Sequence, residues 1–99
     1  MAKYRLSVLA DRDLGGIADY TIETFGLEQA RRYGESLDTC FNLLADNPGI
    51  GRNADELAPG LHRFNHQSHV IFYRPVPGKL LIVRVLHESM DFAQHKLSS

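Results

Sequence analysis

Eight consecutive residues, Leu80 to His87, read LLIVRVLH, and six of them are aliphatic. A run this short and this rich in β-branched residues, entered through Pro75-Val76-Pro77-Gly78, reads as a central strand rather than a buried helix segment. Alternation along a strand puts Leu81, Val83 and Val85 on one wholly apolar face and Ile82, Arg84 and Leu86 on the other, which carries a single charge. A sheet built around such a strand must be covered on at least one side.

The chain has 99 residues, 43% of them hydrophobic, which suits a single domain over residues 1–99 with roughly 5–15 kcal/mol of stability. No apolar run approaches the ~20 residues that a membrane span requires, so the expectation is a soluble, cytoplasmic protein. The lone Cys40 has no partner for an internal disulfide and falls in a helical pattern, as a small buried hydrophobe does. A net charge of −1 argues against a protein that lives on nucleic acid, where affinity comes largely from lysine and arginine. The distribution is uneven: residues 1–60 sum to −4 and residues 61–99 to +3, and all five histidines lie in the second part. If the chain meets an acidic surface, the second part is the one expected to touch it.

Tyr4 to Leu9 alternates like a half-buried strand. From Asp11 the period changes, with Leu14, Ile17, Ala18, Thr21, Ile22 and Phe25 on one helical stripe and Asp11 and Asp13 in the first turn. Gly15-Gly16 inside this helix implies close approach to a neighbour or local mobility. Gly26 separates a second helix, whose stripe is Ala30, Tyr33, Leu37, Cys40, Phe41 and Leu44, and Asp46-Asn47-Pro48-Gly49 stops it. Ile50 to Gly60 reads as a surface loop, and Leu61–Asn65, His69–Arg74 and the central strand read as a meander. The expected fold is therefore α+β in the order β-α-α-β-β-β, a helical hairpin packed on one face of a small, mainly antiparallel sheet. The place of the first strand in that sheet is left open by the pattern.

Three groups invite chemistry. His62, His66 and His69 have spacing that suggests zinc, but His62 and His66 on one strand stand about 13 Å apart, so half-exposed sheet histidines are the better reading and no metal or other cofactor is expected. Arg63, Arg84 and His87 outline a metal-independent ribonuclease, with guanidiniums for phosphoryl charge and an imidazole for proton transfer. Against that, arginines in a small sheet commonly pair with carboxylates, and Arg84, flanked by Val83 and Val85, is expected to pack its stem and find a carboxylate or carbonyl for its head. A Ser68-His69 pair with a distant Asp91 lacks the surroundings of a nucleophile elbow.

The segments LSVLADRDLGGIADYTIETFGLEQARRYGESL, LADNPGIGRNADEL, LHRFNHQSHVIFYR and IVRVLHESMD resemble, in order and from Tyr4 to about His95, those of the ParE toxins of the RelE/ParE superfamily. The resemblance implies the toxin of a type II toxin–antitoxin pair that serves plasmid stabilisation or a chromosomal counterpart. It implies growth inhibition by poisoning DNA gyrase, action by binding rather than catalysis, and neutralisation by a small ParD-like antitoxin in a hetero-oligomer, with DNA met only indirectly through the antitoxin. The alternative is a RelE-like ribosome-dependent mRNA endonuclease using Arg63, Arg84 and His87. It is disfavoured because Arg52, Asp55 and Glu56 stand where those relatives tend to carry lysines. An amphipathic helix and an extended piece of the antitoxin are expected to cover a groove beside the hairpin and sheet. The family's C-terminal end is implicated in toxicity, which makes His87, Met90, Asp91, Phe92, His95 and Lys96 the candidate target-binding residues. Deletion of residues 90–99 is then expected to remove gyrase poisoning and leave the fold.

Overall fold

In the computed structural model, which describes residues 3–97, a short first strand β1 (Tyr4–Leu6) leads directly into helix α1 (Val8–Phe25). The helix begins three residues earlier than its apolar stripe suggests, because Ser7 is its N-cap: the Ser7 hydroxyl accepts the Ala10 N–H at 3.0 Å and donates to the Val83 carbonyl at 2.7 Å. One serine thus starts α1 and ties it to the sheet. Leu14 and Ile17 pack inward and Thr21 is buried, its hydroxyl returned to the Ile17 carbonyl. Ala18, Ile22 and Phe25, expected on the same stripe, are exposed instead. Gly26, at φ +96°, breaks the chain between α1 and helix α2 (Leu27–Asp46), a conformation that glycine adopts without a Cβ penalty. Leu37, Cys40, Phe41 and Leu44 form the buried face of α2.

A 3-10 turn (Pro48–Ile50) and a two-residue strand β2 (Arg52–Asn53) follow, so the segment read as a surface loop contributes a fifth strand. Pairing with β3 (His62–His66) places Arg52 opposite Arg63, and the rest of the segment buries Ala54 and Ala58. Strands β4 (His69–Val76) and β5 (Lys79–His87) complete the meander. The sheet order is β1-β5-β4-β3-β2, antiparallel except that β1 lies parallel to β5. The architecture is α+β, two helices on a mixed five-stranded sheet, with the element order β-α-α-β-β-β-β.

The central strand departs from simple alternation. Phe72 pairs with Arg84 and Tyr73 with Ile82, so Val83 is an extra residue, a β-bulge. The bulge shifts the face assignment downstream: Leu80, Ile82 and Val85 join the cluster under the helices, while Leu81, Val83 and Leu86 belong to a second cluster on the opposite face. This replaces the expected grouping of Leu81 and Val83 with Val85. The second cluster contains no residue of α1 or α2, and it is closed by Ala54, Ala58 and Leu61 from the β2–β3 segment and by Leu97 from the tail, with Phe92 packed alongside. Both faces of the sheet are therefore covered, one by the hairpin and one by loop and tail.

That second cover corrects the expectation for residues 90–99. Phe92 lies edge-on to Phe72 at 5.1 Å between ring centroids, and Leu97 is 5% exposed, so the tail is part of the core. Gly15 and Gly16 have no neighbour within 4 Å of a built Cβ, so no close approach within the described residues accounts for them. Gly51 is different: a Cβ there would sit 2.1 Å from the Tyr73 hydroxyl oxygen.

Candidate functional site

Asp13 sits one turn past the start of α1, too far along for the helix dipole to be its main partner. Its carboxylate takes both Arg84 Nε and Nη2 at 2.8 Å, a bidentate pair, and also accepts the Val85 N–H at 3.0 Å. Both side chains are only 12–13% exposed. Arg84 adds a bond from Nη1 to the Lys96 carbonyl at 3.3 Å, so one guanidinium holds α1, the bulged strand and the tail together. Asp13 raises the Arg84 pKa further, chiefly through this hydrogen bonding, which keeps the guanidinium charged.

A groove of about 870 Å³ opens beside this pair, between the outer face of α1, the start of α2 and the ends of β4 and β5. Ile17, Tyr20, Phe25 and Met90 give it apolar walls, and His69, His87 and His95 line it from the sheet and tail. Tyr20 and Phe25 are 63% and 66% exposed, so the groove presents two open aromatic side chains.

Cross-strand register aligns His66 with His69 and His69 with His87, a row of three imidazoles on the helix side of the sheet. The Tyr33 hydroxyl and His69 Nδ1 are hydrogen-bonded at 2.7 Å, Ser36 Oγ and His66 Nε2 at 3.0 Å, and His69 meets His87 edge-on at 5.6 Å. Burial pushes Tyr33 up to about 12. His66 is lowered by burial, and His69 by burial and then by the neighbouring His87 and His66, which favours the uncharged form of these two imidazoles.

The residues singled out from the sequence are dispersed. Arg63 lies on the other face, over the Phe72 and Phe92 rings at 5.8 and 5.2 Å, while Arg84 is taken by Asp13 and His87 joins the histidine row. Arg63 and His87 thus face opposite sides of the sheet. His62 stacks on Tyr73 and is separated from the row, and among the described residues no group of three histidine, cysteine, aspartate or glutamate side chains is placed to hold a metal. Ser68 sits in the β3–β4 turn, and Asp91 caps the 3-10 helix Phe92–Gln94 by accepting the Ala93 N–H. Of the tail candidates, the groove gathers His87, Met90 and His95, Phe92 turns into the second cluster, and Lys96 offers its carbonyl to Arg84. Asp13, Tyr33, Tyr20 and Phe25 were not singled out for the site from the sequence. The exposed aromatics at the end of an otherwise inward stripe were the available signal.

Residues 4–92 match the family described as ParE toxin of type II toxin-antitoxin system, parDE. The chain belongs to the ParE toxin family. It is similar to Toxin ParE1 of Caulobacter vibrioides, 40% identical over 96% of this chain and 98% of that protein. It is also similar to Toxin ParE1 of Mycobacterium tuberculosis, at 40% identity over 91% and 93%, and to Toxin ParE of Escherichia coli, at 37% over 92% and 89%. A solved structure titled "Chromosomal ParDE TA system from P. aeruginosa" superposes with a TM-score of 0.74, covering 88% of this chain and 96% of that one at 21% identity, which speaks to the fold. As a ParE toxin of a type II system, the chain has an antitoxin as its partner. No helix among its described residues is long and apolar enough to cross a membrane.

Proposed function

We propose that this ParE-family toxin, acting as one domain over residues 1–99 in the cytoplasm, poisons DNA gyrase by binding it and is neutralised by a ParD-like antitoxin. The observation that carries the binding reading is the engagement of Arg84 by Asp13 with Arg63 on the far face of the sheet. A phosphodiester-cleaving site needs cations and a proton-transfer group around one reacting atom, and Arg63, Arg84 and His87 do not surround one. Family membership supports gyrase as the target. The groove beside α1 supports an antitoxin segment as its occupant, since it joins apolar walls to hydrogen-bonding groups along one channel. His87, Met90 and His95 at its mouth are the proposed target contacts, with Asp91 and Lys96 at their flank.

Purified toxin added to a gyrase supercoiling reaction should yield linear or unsupercoiled DNA, and the same protein in a translation extract should leave messenger intact. Messenger cut in the extract, with supercoiling unaffected, would replace this reading by the nuclease one.

A further inference from the structure

The charge available on the walls of the groove beside α1 has one sign. Helix α1 contributes Arg12, which is exposed and makes no ion pair among the described residues. It also contributes the only carboxylate of the lining, Asp13, which is held by Arg84 and the Val85 N–H. Strands β4 and β5 bring His69 and His87, and the tail brings His95, with Lys96 exposed beside it in the chain. Helix α2 and the β3–β4 turn add uncharged side chains, Tyr33 and Gln67 among them. Glu88 lies outside the lining but acts on His69 in the direction that favours a proton, while His87 and His66 act against it, and Asp91 is turned to the Ala93 N–H. The rings are set to meet an anion. The Ser89 N–H donates to His87 Nδ1 at 3.1 Å, which puts the hydrogen of the neutral ring on Nε2 as a donor. The Tyr33 hydroxyl stands 2.7 Å from His69 Nδ1 and 3.4 Å from the His66 carbonyl, so it can accept the Nδ1 hydrogen and give its own to that carbonyl, and His69 keeps this bond when protonated.

We infer that the groove takes an amphipathic segment of the antitoxin whose carboxylates meet these imidazoles, and that its hold on that segment tightens as the pH falls from about 7.5 to about 6. The inference rests on the groove being the antitoxin's site and adds the chemistry of the occupant and its regulation by protons. Apolar side chains of the segment go to Ile17, Tyr20, Phe25 and Met90, and its carboxylates to Arg12, His69 and His95. A carboxylate beside an imidazole favours the protonated ring, so binding takes up protons and acidification favours the complex. In the free toxin His69 is biased toward its neutral form, by burial first, so it has a proton to gain. The antitoxin carboxylates themselves protonate near about pH 4, below this window. Nucleic acid fits the groove less well, because a phosphate backbone is held by permanent cations, and of the two arginines on these walls Arg84 is taken by Asp13. Acid therefore pushes the toxin toward its neutralised complex.

The test is isothermal titration calorimetry of the full chain with its cognate antitoxin between about pH 7.5 and about pH 6, in two buffers of different ionisation enthalpy, with circular dichroism showing both proteins folded at each pH. The dissociation constant should fall by up to about tenfold per pH unit for each proton taken up, and the buffer dependence of the heat should report that uptake directly. His69→Gln/His95→Gln should remove most of the uptake. The same loss should follow, with the toxin untouched, when the carboxylates of the antitoxin's toxin-bound segment are replaced by amides. A dissociation constant indifferent to pH, one that rises on acidification, or uptake undiminished in either of these two arms would overturn the inference. Tyr20→Ser/Phe25→Ser, at two exposed positions on the groove wall, separates it from the antitoxin reading. Binding that is indifferent to pH and weakened by this variant overturns the proton linkage alone, whereas binding left at full strength removes the groove as the antitoxin's site and the inference with it.

Discussion

Arg84 shows how one residue can look catalytic in a sequence and be structural in the fold. Its fork to Asp13 is nearly dry, and removing one partner of such a pair strands the other. Asp13→Ala, which also strips the Val85 N–H of its acceptor, should cost about 3–5 kcal/mol in urea unfolding. Arg84→Lys keeps the charge but loses the bidentate geometry and should cost on the order of 1–3 kcal/mol. In both variants toxicity in a growth assay should fall in step with folded protein; a fully folded Arg84→Lys chain without toxicity would show that the guanidinium acts on the target. Gly51 is a second such position. The Tyr73 hydroxyl accepts the Gly51 N–H at 3.0 Å and donates to the Pro48 carbonyl at 2.8 Å, so a methyl group at 51 evicts it. Gly51→Ala is expected to destabilise by at least about 1–3 kcal/mol, as overpacking does, seen as an earlier urea midpoint with an unchanged slope.

Among the elements, the tail decides how its own function can be probed. Leu97 is buried and Phe92 partly buried against the second cluster, and full burial of such a side chain contributes about 1.5–3 kcal/mol, so deleting residues 90–99 removes about 2–5 kcal/mol from a domain with roughly 5–15. The truncated chain should lose its circular dichroism transition and antitoxin binding together with activity. Met90→Ala/His95→Ala spares Phe92 and Leu97 and should retain the fold while weakening gyrase poisoning; full potency in that variant would remove the groove mouth from the target contact. The tail's role in the core was not legible because the irregular spacing of Met90, Phe92 and Leu97 names no face until Phe72 is seen beneath them. The two helices and the meander were legible, since their periods run over several turns or alternations. The bulge was not: it depends on how β5 pairs with Phe72 and Tyr73, which the LLIVRVLH pattern does not encode. Ser7 hid in an alternation that reads equally well as strand, and β2, with two residues, is too short to have a period. The site suffered most, because Asp13 and Arg84 lie 71 residues apart and the histidine row exists only once three strands are in register.

For the molecule as a whole, the histidine row makes stability depend on pH. His66 and His69 have folded pKa values below the ordinary 6.5, so the unfolded chain takes up protons first. Their contribution is intact above about pH 6.5 and is lost as pH falls through that value toward the folded ones. Melting temperatures should therefore drop between pH 7.5 and 5.5, and His69→Gln should flatten the drop; an unaltered pH dependence would assign it to other groups. A different consequence follows from β1 lying parallel to β5, where the Leu80 N–H reaches back to the Lys3 carbonyl. The first strand to leave the ribosome has no partner until nearly the last one has been made, and closing so long a loop is slow. During synthesis the helical hairpin emerges without the sheet it must cover, its apolar face open to any amphipathic segment nearby. An antitoxin present at that moment meets an unfinished toxin, so the order of synthesis of the two chains bears on whether the cell ever encounters the free one.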